Sequence, residues 1–575
     1  MGEHTTTRSE IERIKEASRL LMGDLETEIR NEHPEVGGES KQLLKFHGVY
    51  AQDNRDVRAV RKHAGQPLEH IYMVRVAIPG GRLSADQYLS LDTLARRTGS
   101  QSLRLTTRQG IQLHFISKHE LGVVISAINE SLLTTWGGCG DVVRNVVACV
   151  GIEPAVRDLG LERLANDLSR RYKAPADAYL QLWIDGTRVP NEVLGAPPID
   201  RSIYGPEMLP RKFKIAIATS ADNCVDVLAN DLGLVIDAQD PSKVRTYVGG
   251  GLGRSHSDDT TLARVAELLG EVSRDDVLAI CDSVIALQRE YGDRGDRSHA
   301  RLKYLVGEWG IDRIRAEVER RSGVRILPTT PDTFSRTQDH LGRTDQGDGR
   351  FGLGIKLPSG RIANSMAGPL LDRLRDFVKE FKPSLAITAR GDIVLHDLAS
   401  DKTDLIIERL ADLALPVDSM LTPLQRESFA CVGLPTCGLA LAESERYLPE
   451  LLEELSLCLS SLGVPDLALE VRITGCPNGC ARPYLGEIGL VGRTKRSYDM
   501  YLGDTSNGRR LSALFAEDVD RDEIIPTLRR LLSLFLAHRD GDERFGTFAT
   551  RTGLAAREDL KPAPRRRRRA LEVTK

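Results

Sequence analysis

An internal repeat constrains this chain more than any other feature of it. YMVRVAIPGGRL (72–83) is matched by LGIKLPSGRI (353–362), and both read as an alternating strand ending in a Pro/Gly turn. A helix-like stretch follows each, LSADQYLSLDTLARRTG in one copy and GPLLDRLRDFVKEF in the other. A second pair of strands then aligns, LRLTTRQGIQLHFI (103–116) with LAITARGDIVLHDL (385–398). In that alignment Thr106 meets Thr388, Arg108 meets Arg390 and His114 meets His396, each 282 positions apart. The spacing holds into VVRNVVACVGIEP (142–154) and PLQRESFACVGLPT (423–436), with Arg144 opposite Arg426 and Cys149 opposite Cys431. Farther on, GLVIDAQDPSKVRTYVGGGLGR (233–254) is echoed by GLVGRTKRSYDMYLGDTSNGRR (489–510).

Strand, helix, strand is the pattern of a small half-domain, so the predicted fold class is α+β: a pseudo-twofold duplication of a ferredoxin-like half-domain followed by a larger α/β domain. The predicted layout is an N-terminal extension (1–65), a first half-domain (66–150), a first α/β domain (151–335), a second half-domain (336–420), a second α/β domain (421–555) and a basic tail (556–575). At 575 residues the chain is longer than one core usually serves, which suits several domains.

The two copies differ in their chemistry. The second carries Cys437, Cys476 and Cys480 beside Cys431, and no counterpart of these three is expected in the first. The first has Arg75 and Arg104 where the second has Gly354 and Ala386, and it adds the basic run LPRKFK (209–214). The expectation is one shared site, with metal ligands from one half and anion-binding residues from the other.

Nine cysteines and no recognisable export signal argue against a disulfide framework and for a metal or redox role of the paired ones. Cys139, Cys149, Cys224, Cys281 and Cys458 sit among apolar neighbours and are expected to be small buried hydrophobes. In ACVGLPTC and TGCPNGC the glycines and prolines favour tight loops whose backbone N–H groups point at sulfur. The spacing suits an iron–sulfur cluster better than a zinc knuckle, and leaves zinc or unligated cysteines as alternatives. Arg75, Arg104, Arg108, Arg144, Lys212 and Lys214 either face solvent or converge on an anion. GGGLGR (249–254), with Gly249, Gly250 and Gly251, lacks dinucleotide-fingerprint spacing and reads as a loop able to approach an anionic ligand.

A net charge of −3 gives no reason to expect nucleic-acid binding, and RRRRR at 565–569 is expected to be a disordered, solvated tail, with nonspecific contact with nucleic acid or an acidic partner as the alternative. There is no run of about 18 apolar residues. A cytoplasmic location away from membranes is therefore expected.

ACVGLPTCGLALAESERYLP and RITGCPNGCARPYLGEIGLVG resemble the two cluster-binding segments of assimilatory sulfite reductase hemoproteins. KFHGVYAQDNRD, LRLTTRQGIQLH, CGDVVRNV, LPRKFK and YVGGGLGR resemble the same family in the same order, over residues 40–555. The resemblance implies siroheme coupled to a [4Fe-4S] cluster and six-electron reduction of sulfite to sulfide. It implies that Cys431, Cys437, Cys476 and Cys480 hold the cluster, with Cys480 also axial to the siroheme iron. It implies that Arg75, Arg144, Lys212 and Lys214 bind the anion and deliver protons. Arg104, Thr106, Arg108, Gln112 and His114, with Gly249, Gly250 and Gly251, are implied to lie near siroheme. Phe115 stands where the family commonly has glycine, a change expected to reshape a loop and leave the polar side chains in place.

LPTC and CPNGC favour sulfite over the related ferredoxin-type nitrite reductases. A zinc-stabilised binding protein and a simple iron–sulfur carrier are rivals from other classes. For the electron donor, LRLTTRQ, CGDVVRNV and RGDRSHARLKYLVGEWGI favour ferredoxin, with a diflavin NADPH reductase as the alternative.

Overall fold

The computed structural model describes residues 8–18, 21–174, 182–184, 187–189, 203–205, 207–365, 368–413, 415, 420–504 and 507–562. The arginine run at 565–569 lies outside the described residues. The chain divides into two compact units, one of residues 1–252, 263–421 and 507–509, the other of 253–262, 422–506 and 510–575.

The first unit holds both half-domains. One antiparallel sheet runs in the order Val49–Asp53, His70–Val76, Ile111–Ile116, Leu103–Leu105 and Arg361–Ile362. The other runs Gly342–Asp345, Arg350–Ile355, Ile393–Ala399, Ser384–Ile387 and Arg82–Leu83. The last strand of each sheet belongs to the other repeat. Arg361 lies opposite Arg104, and Arg82 lies opposite Ala386; Arg104 and Ala386 are themselves 282 positions apart in the chain. Each half-domain therefore completes its partner's sheet.

The helices follow the same symmetry. Ser84 and Gln87 form a reciprocal cap that starts Ala85–Arg97, so the turn after the strand passes directly into helix. Its counterpart is Leu370–Phe381. Arg96 holds the fully buried Asp92 at 2.9 Å and donates to the Leu371 carbonyl at 3.1 Å, and Arg375 reaches the same Asp92. A buried carboxylate needs such pairing, and here it receives one arginine from each repeat.

The turns between paired strands coincide in detail. Thr106 Oγ1 accepts from the N–H groups of Arg108 (3.3 Å) and Gly110 (3.1 Å). Thr388 Oγ1 accepts from those of Arg390 (3.2 Å) and Asp392 (3.1 Å). Buried Gln109 then ties the repeats together. Its amide donates to the carbonyls of Ala148 (2.7 Å) and Ile387 (3.0 Å) and accepts from the Ala148 N–H (2.8 Å). Leucine at this position strands three buried backbone groups, each costing roughly 1–3 kcal/mol. Gln109→Leu is expected to lower the thermal midpoint of the first unit by several degrees, measured by calorimetry; an unchanged midpoint would remove this tie from the account.

A third sheet of the first unit runs Glu267–Ser273, Lys243–Val248, Leu232–Ile236, Ile215–Thr219 and Val147–Ala148. Its central strands IAIAT and LGLVI are parallel and wholly buried, as continuous apolar runs predict. The second unit repeats the order and sense: Phe429–Ala430, Val471–Thr474 and Ile488–Thr494 are parallel, then Ser497–Leu502 and Ala513–Asp520 are antiparallel. Each unit has its own apolar core. No helix among the described residues is long and apolar enough to cross a membrane.

The second sheets also correct the sequence reading. Ala148 is paired with Ile217 and Ala430 with Ile473, and the N–H groups of Cys149 and Cys431 donate to the Ile217 and Ile473 carbonyls. The spacing between the copies is thus 282 before these strands and 256 after them, because the first copy has a longer connection between them. Carried forward at 256, Cys480 falls opposite Cys224. The first copy does retain a counterpart of one of the three cysteines.

Candidate functional site

In the second unit the four cysteines of the two conspicuous segments come together. Cys431 follows the strand Phe429–Ala430, and Cys476 follows Val471–Thr474, so two parallel neighbours deliver both segments to one end of the sheet. Gly433 and Gly479 have left-handed backbone (φ +59° and +64°), which turns each segment back on itself. Gly475 has no room for a side chain, since a Cβ there would lie 2.7 Å from the Ala442 carbonyl oxygen. Cys476 is buried, Cys431 and Cys437 are half-buried, and Cys480 is exposed.

The sulfurs are electrostatic neighbours. Burial, then the nearby Cys431 and Cys480, push the Cys437 thiol up to about 11, and burial with Cys480, Cys431 and Cys437 also raises Cys476. Donors surround them: the Gly475 N–H lies 3.3 Å from Cys431 Sγ, Thr474 Oγ1 3.4 Å from it, and Asn478 Nδ2 3.6 Å from Cys476 Sγ. Four thiols with N–H donors suit a polynuclear cluster. They do not form the tight group of a single zinc ion, whose sulfurs would lie within about 4 Å of one another. The segment after the glycine run packs here too, with the Arg254 N–H on the Pro477 carbonyl at 3.0 Å and its guanidinium 3.1 Å from the Tyr501 hydroxyl.

The first unit carries the basic residues in two groups. In the first, Arg75 on His70–Val76 lies opposite Gln112, and Arg104 is opposite both Gln112 and Arg361. The Gln112 amide bridges Arg75 and His114: its oxygen accepts from Arg75 Nε (3.0 Å) and its nitrogen donates to His114 Nε2 (3.2 Å). Burial, and then the Arg361, Arg104 and Arg75 charges, hold His114 well below the usual imidazole range, so it is neutral. Its buried Nδ1 has no partner among the described residues. An unmatched buried donor beside three arginines fits a ligand rich in carboxylates, as siroheme is. Gly354, the counterpart of Arg75, cannot carry a side chain because a Cβ would lie 1.8 Å from the His340 carbonyl oxygen.

The second group comprises Arg144, Lys212 and Lys214, joined by Lys45, Arg211 and Arg301. Arg144 is fixed through its Nε to the Gly140 carbonyl at 2.7 Å. Burial, then Arg211, Lys214, Arg301 and Arg144, push Lys212 well below the usual lysine range. Lys45 is also lowered, by burial first, against the opposing charge of Asp141 and with that of Arg297, Arg211 and Arg144. Arg301 is held by fully buried Asp231 through two hydrogen bonds (2.9 and 2.7 Å), and Asp231 also takes the Lys214 N–H at 2.8 Å.

Other expected residues are engaged within the protein. Arg108 is engaged by Asn230 Oδ1 (2.8 Å) and by the Asn145 (2.7 Å) and Ile215 (3.3 Å) carbonyls, which makes it a clamp between strands. Thr106 caps its own turn. The directions open to side chains at Gly249, Gly250 and Gly251 are filled by Val306, by the Leu228 and Asn230 carbonyls, and by Arg301. These glycines seat Arg301, whose guanidinium reaches the Gly250 carbonyl at 3.4 Å, and Lys303, 3.3 Å from that of Gly251. Sequence reading missed Lys45, Arg211, Arg301 and Arg361. Lys45 and Arg211 lie inside motifs already singled out, and Arg361 is the repeat partner of Arg82.

The family described as nitrite and sulphite reductase 4Fe-4S domain matches residues 173–326, and the nitrite/sulfite reductase ferredoxin-like half domain matches 63–131 and 344–413. A sulfite reductase [NADPH] hemoprotein beta-component of Myxococcus xanthus is 38% identical over 97% of this chain and 98% of its own length. The protein of the same name from Acidithiobacillus ferrooxidans is 39% identical over 95% of this chain and 96% of its own. The structure of Mycobacterium tuberculosis NirA shares the fold, with a TM-score of 0.74 at 22% identity, covering 95% of this chain and 96% of that one. The chain belongs to the nitrite and sulfite reductase family. Within it the chain is an oxidoreductase of the sulfite reductase hemoprotein type, with siroheme and a [4Fe-4S] cluster as its cofactors. The relatives' names specify NADPH and a β-component, so the expectation of ferredoxin as donor finds no support in them.

Proposed function

We propose that this chain is the hemoprotein component of an NADPH-dependent sulfite reductase, taking six electrons from a separate reductase component and reducing sulfite to sulfide. The carrying observation is the convergence of Arg144, Lys212 and Lys214 with Lys212 poised to lose a proton. In this reading Cys431, Cys437, Cys476 and Cys480 would hold the cluster, and Cys480 would also serve as a ligand of siroheme. Arg75, Arg104, Gln112 and His114, together with Arg361, receive the siroheme carboxylates. When bound, the cofactor pair supplies the electrons and the site at which sulfur is reduced.

The chain's own residues supply field and protons. The Arg144, Lys212 and Lys214 charges draw in a dianion that would otherwise be repelled by an electron-rich centre. Arginine stays charged, so it binds and orients, whereas a lysine whose pKa is lowered gives up its proton more readily. Lys212 Nζ is the proton donor to a departing sulfite oxygen, and Lys214 beside it keeps the field when that proton leaves.

The donor assignment is tested by sulfide formation with the purified holoprotein. Turnover is expected with NADPH plus a diflavin reductase and to be much weaker with reduced ferredoxin. Faster turnover with ferredoxin would reverse the donor assignment and leave the rest of the reading in place.

A further inference from the structure

Cys149 and Cys224 are not merely apolar filling. With Asp222 and His340 they form the one group among the described residues whose metal-binding atoms all lie within 4.8 Å of one another. Cys149 Sγ is 3.7 Å from Asp222 Oδ2 and 3.7 Å from His340 Nε2, and those two atoms are 3.6 Å apart. The edges of a tetrahedron around zinc with sulfur, nitrogen and oxygen ligands are about 3.3–3.8 Å. The residues are buried: Cys149, Asp222 and Cys224 are 4%, 0% and 5% exposed.

The surroundings aim these groups. Cys149 ends the strand Val147–Ala148, and Asp222 and Cys224 lie on the loop after Ile215–Thr219, its parallel neighbour. Asp222 Oδ1 accepts the Gln338 N–H at 3.0 Å, which leaves Oδ2 for the group. Asp222 bridges to Arg336, so the connection carrying His340 is laid along this loop. His340 itself has left-handed backbone (φ +59°), and only a glycine at 354 leaves space for its carbonyl.

We propose that Cys149, Asp222, Cys224 and His340 bind one zinc ion that staples the connection before the second half-domain to the first α/β sheet. Two ligands occupy the positions equivalent to Cys431 and Cys480, and the positions equivalent to Cys437 and Cys476 are Ala155 and Ser220. Asp222 and His340 fill the coordination that those two positions no longer supply. Two thiolates, an imidazole and a carboxylate in a closed, buried group are a ligand set for structural zinc.

Metal analysis of the full-length holoprotein from zinc-supplemented cells is expected to give about one zinc per chain in addition to its iron. The zinc K-edge spectrum should show two sulfurs at about 2.3 Å and two lighter ligands at about 2.0 Å. Cys224→Ser and His340→Gln should each lose most of the zinc while the siroheme and cluster absorption stays. Wild-type protein with under about a tenth of a zinc per chain overturns the proposal. So does zinc retained in full by both variants, or a Cys149–Cys224 disulfide found by thiol titration. Should the variants fail to accumulate, wild-type metal content and the K-edge spectrum decide alone.

Discussion

Replacing Lys212 by alanine is expected to lower sulfite turnover roughly a hundredfold, the scale of lost acid catalysis, while siroheme absorption is unchanged. Burial, and then the charges of Arg211, Lys214, Arg301 and Arg144, disfavour the charged form of Lys212. Arg144 and Lys214 remain in the variant, so much of the attraction for the anion survives. The deficit should therefore fall on kcat more than on KM. Lys212→Arg sharpens the test, because it restores charge without a proton available near neutral pH. That variant should recover KM and leave kcat low. The sign with pH follows from the charged form being the donor: wild-type turnover declines as pH rises through the lowered lysine pKa, and the variants lose that limb. Near wild-type turnover in Lys212→Ala would take the proton-donor role away from this residue.

The second large effect is expected at Cys476. Serine there should remove the cluster and cut sulfite reduction on the order of a thousandfold or more, since the protein's redox chemistry resides in its cofactors. The direct readout is iron, which should fall from about five atoms per chain towards the one held by siroheme. Cys458→Ser is the matched control. Cys458 is buried in the core of the same unit on the helix Leu448–Ser461, outside both cysteine segments in the sequence. It should cost some stability and leave the iron content intact. Full iron and full activity in Cys476→Ser would exclude Cys476 as a cluster ligand.

The repeat made much of this architecture legible in advance, because turns with a side-chain cap leave a visible signature. Thr106 and Thr388 serve the same purpose at the same spacing, and the buried strands around them carry matching apolar patterns. The exchanged strands were not legible. Arg82–Leu83 and Arg361–Ile362 are two residues long, too short for any periodicity, and their partners are set by the packing of two half-domains. Arg361 was missed for that reason. Cys224 was missed because a longer connection in the first copy changes the spacing from 282 to 256; the echo of 233–254 in 489–510 carries the shorter spacing, and strand register extends it back to Cys224. Arg301 was hidden differently: its role depends on three glycines and Asp231, all distant in sequence. The stretches LRLTTRQ, CGDVVRNV and RGDRSHARLKYLVGEWGI, which favour ferredoxin, do not agree with the NADPH donor in the relatives' names.

The exchange of terminal strands has a consequence for how such a molecule can be taken apart. A half-domain expressed alone would present an open sheet edge, and the segment that fits it is carried by the other half. Two identical halves would close one another's edges, so the geometry is that of a domain-swapped symmetric dimer joined into one polypeptide. Joining the halves freed each to change without its twin. One could take up arginine where the other is held to glycine, an asymmetry that a dimer of identical chains has no means to encode.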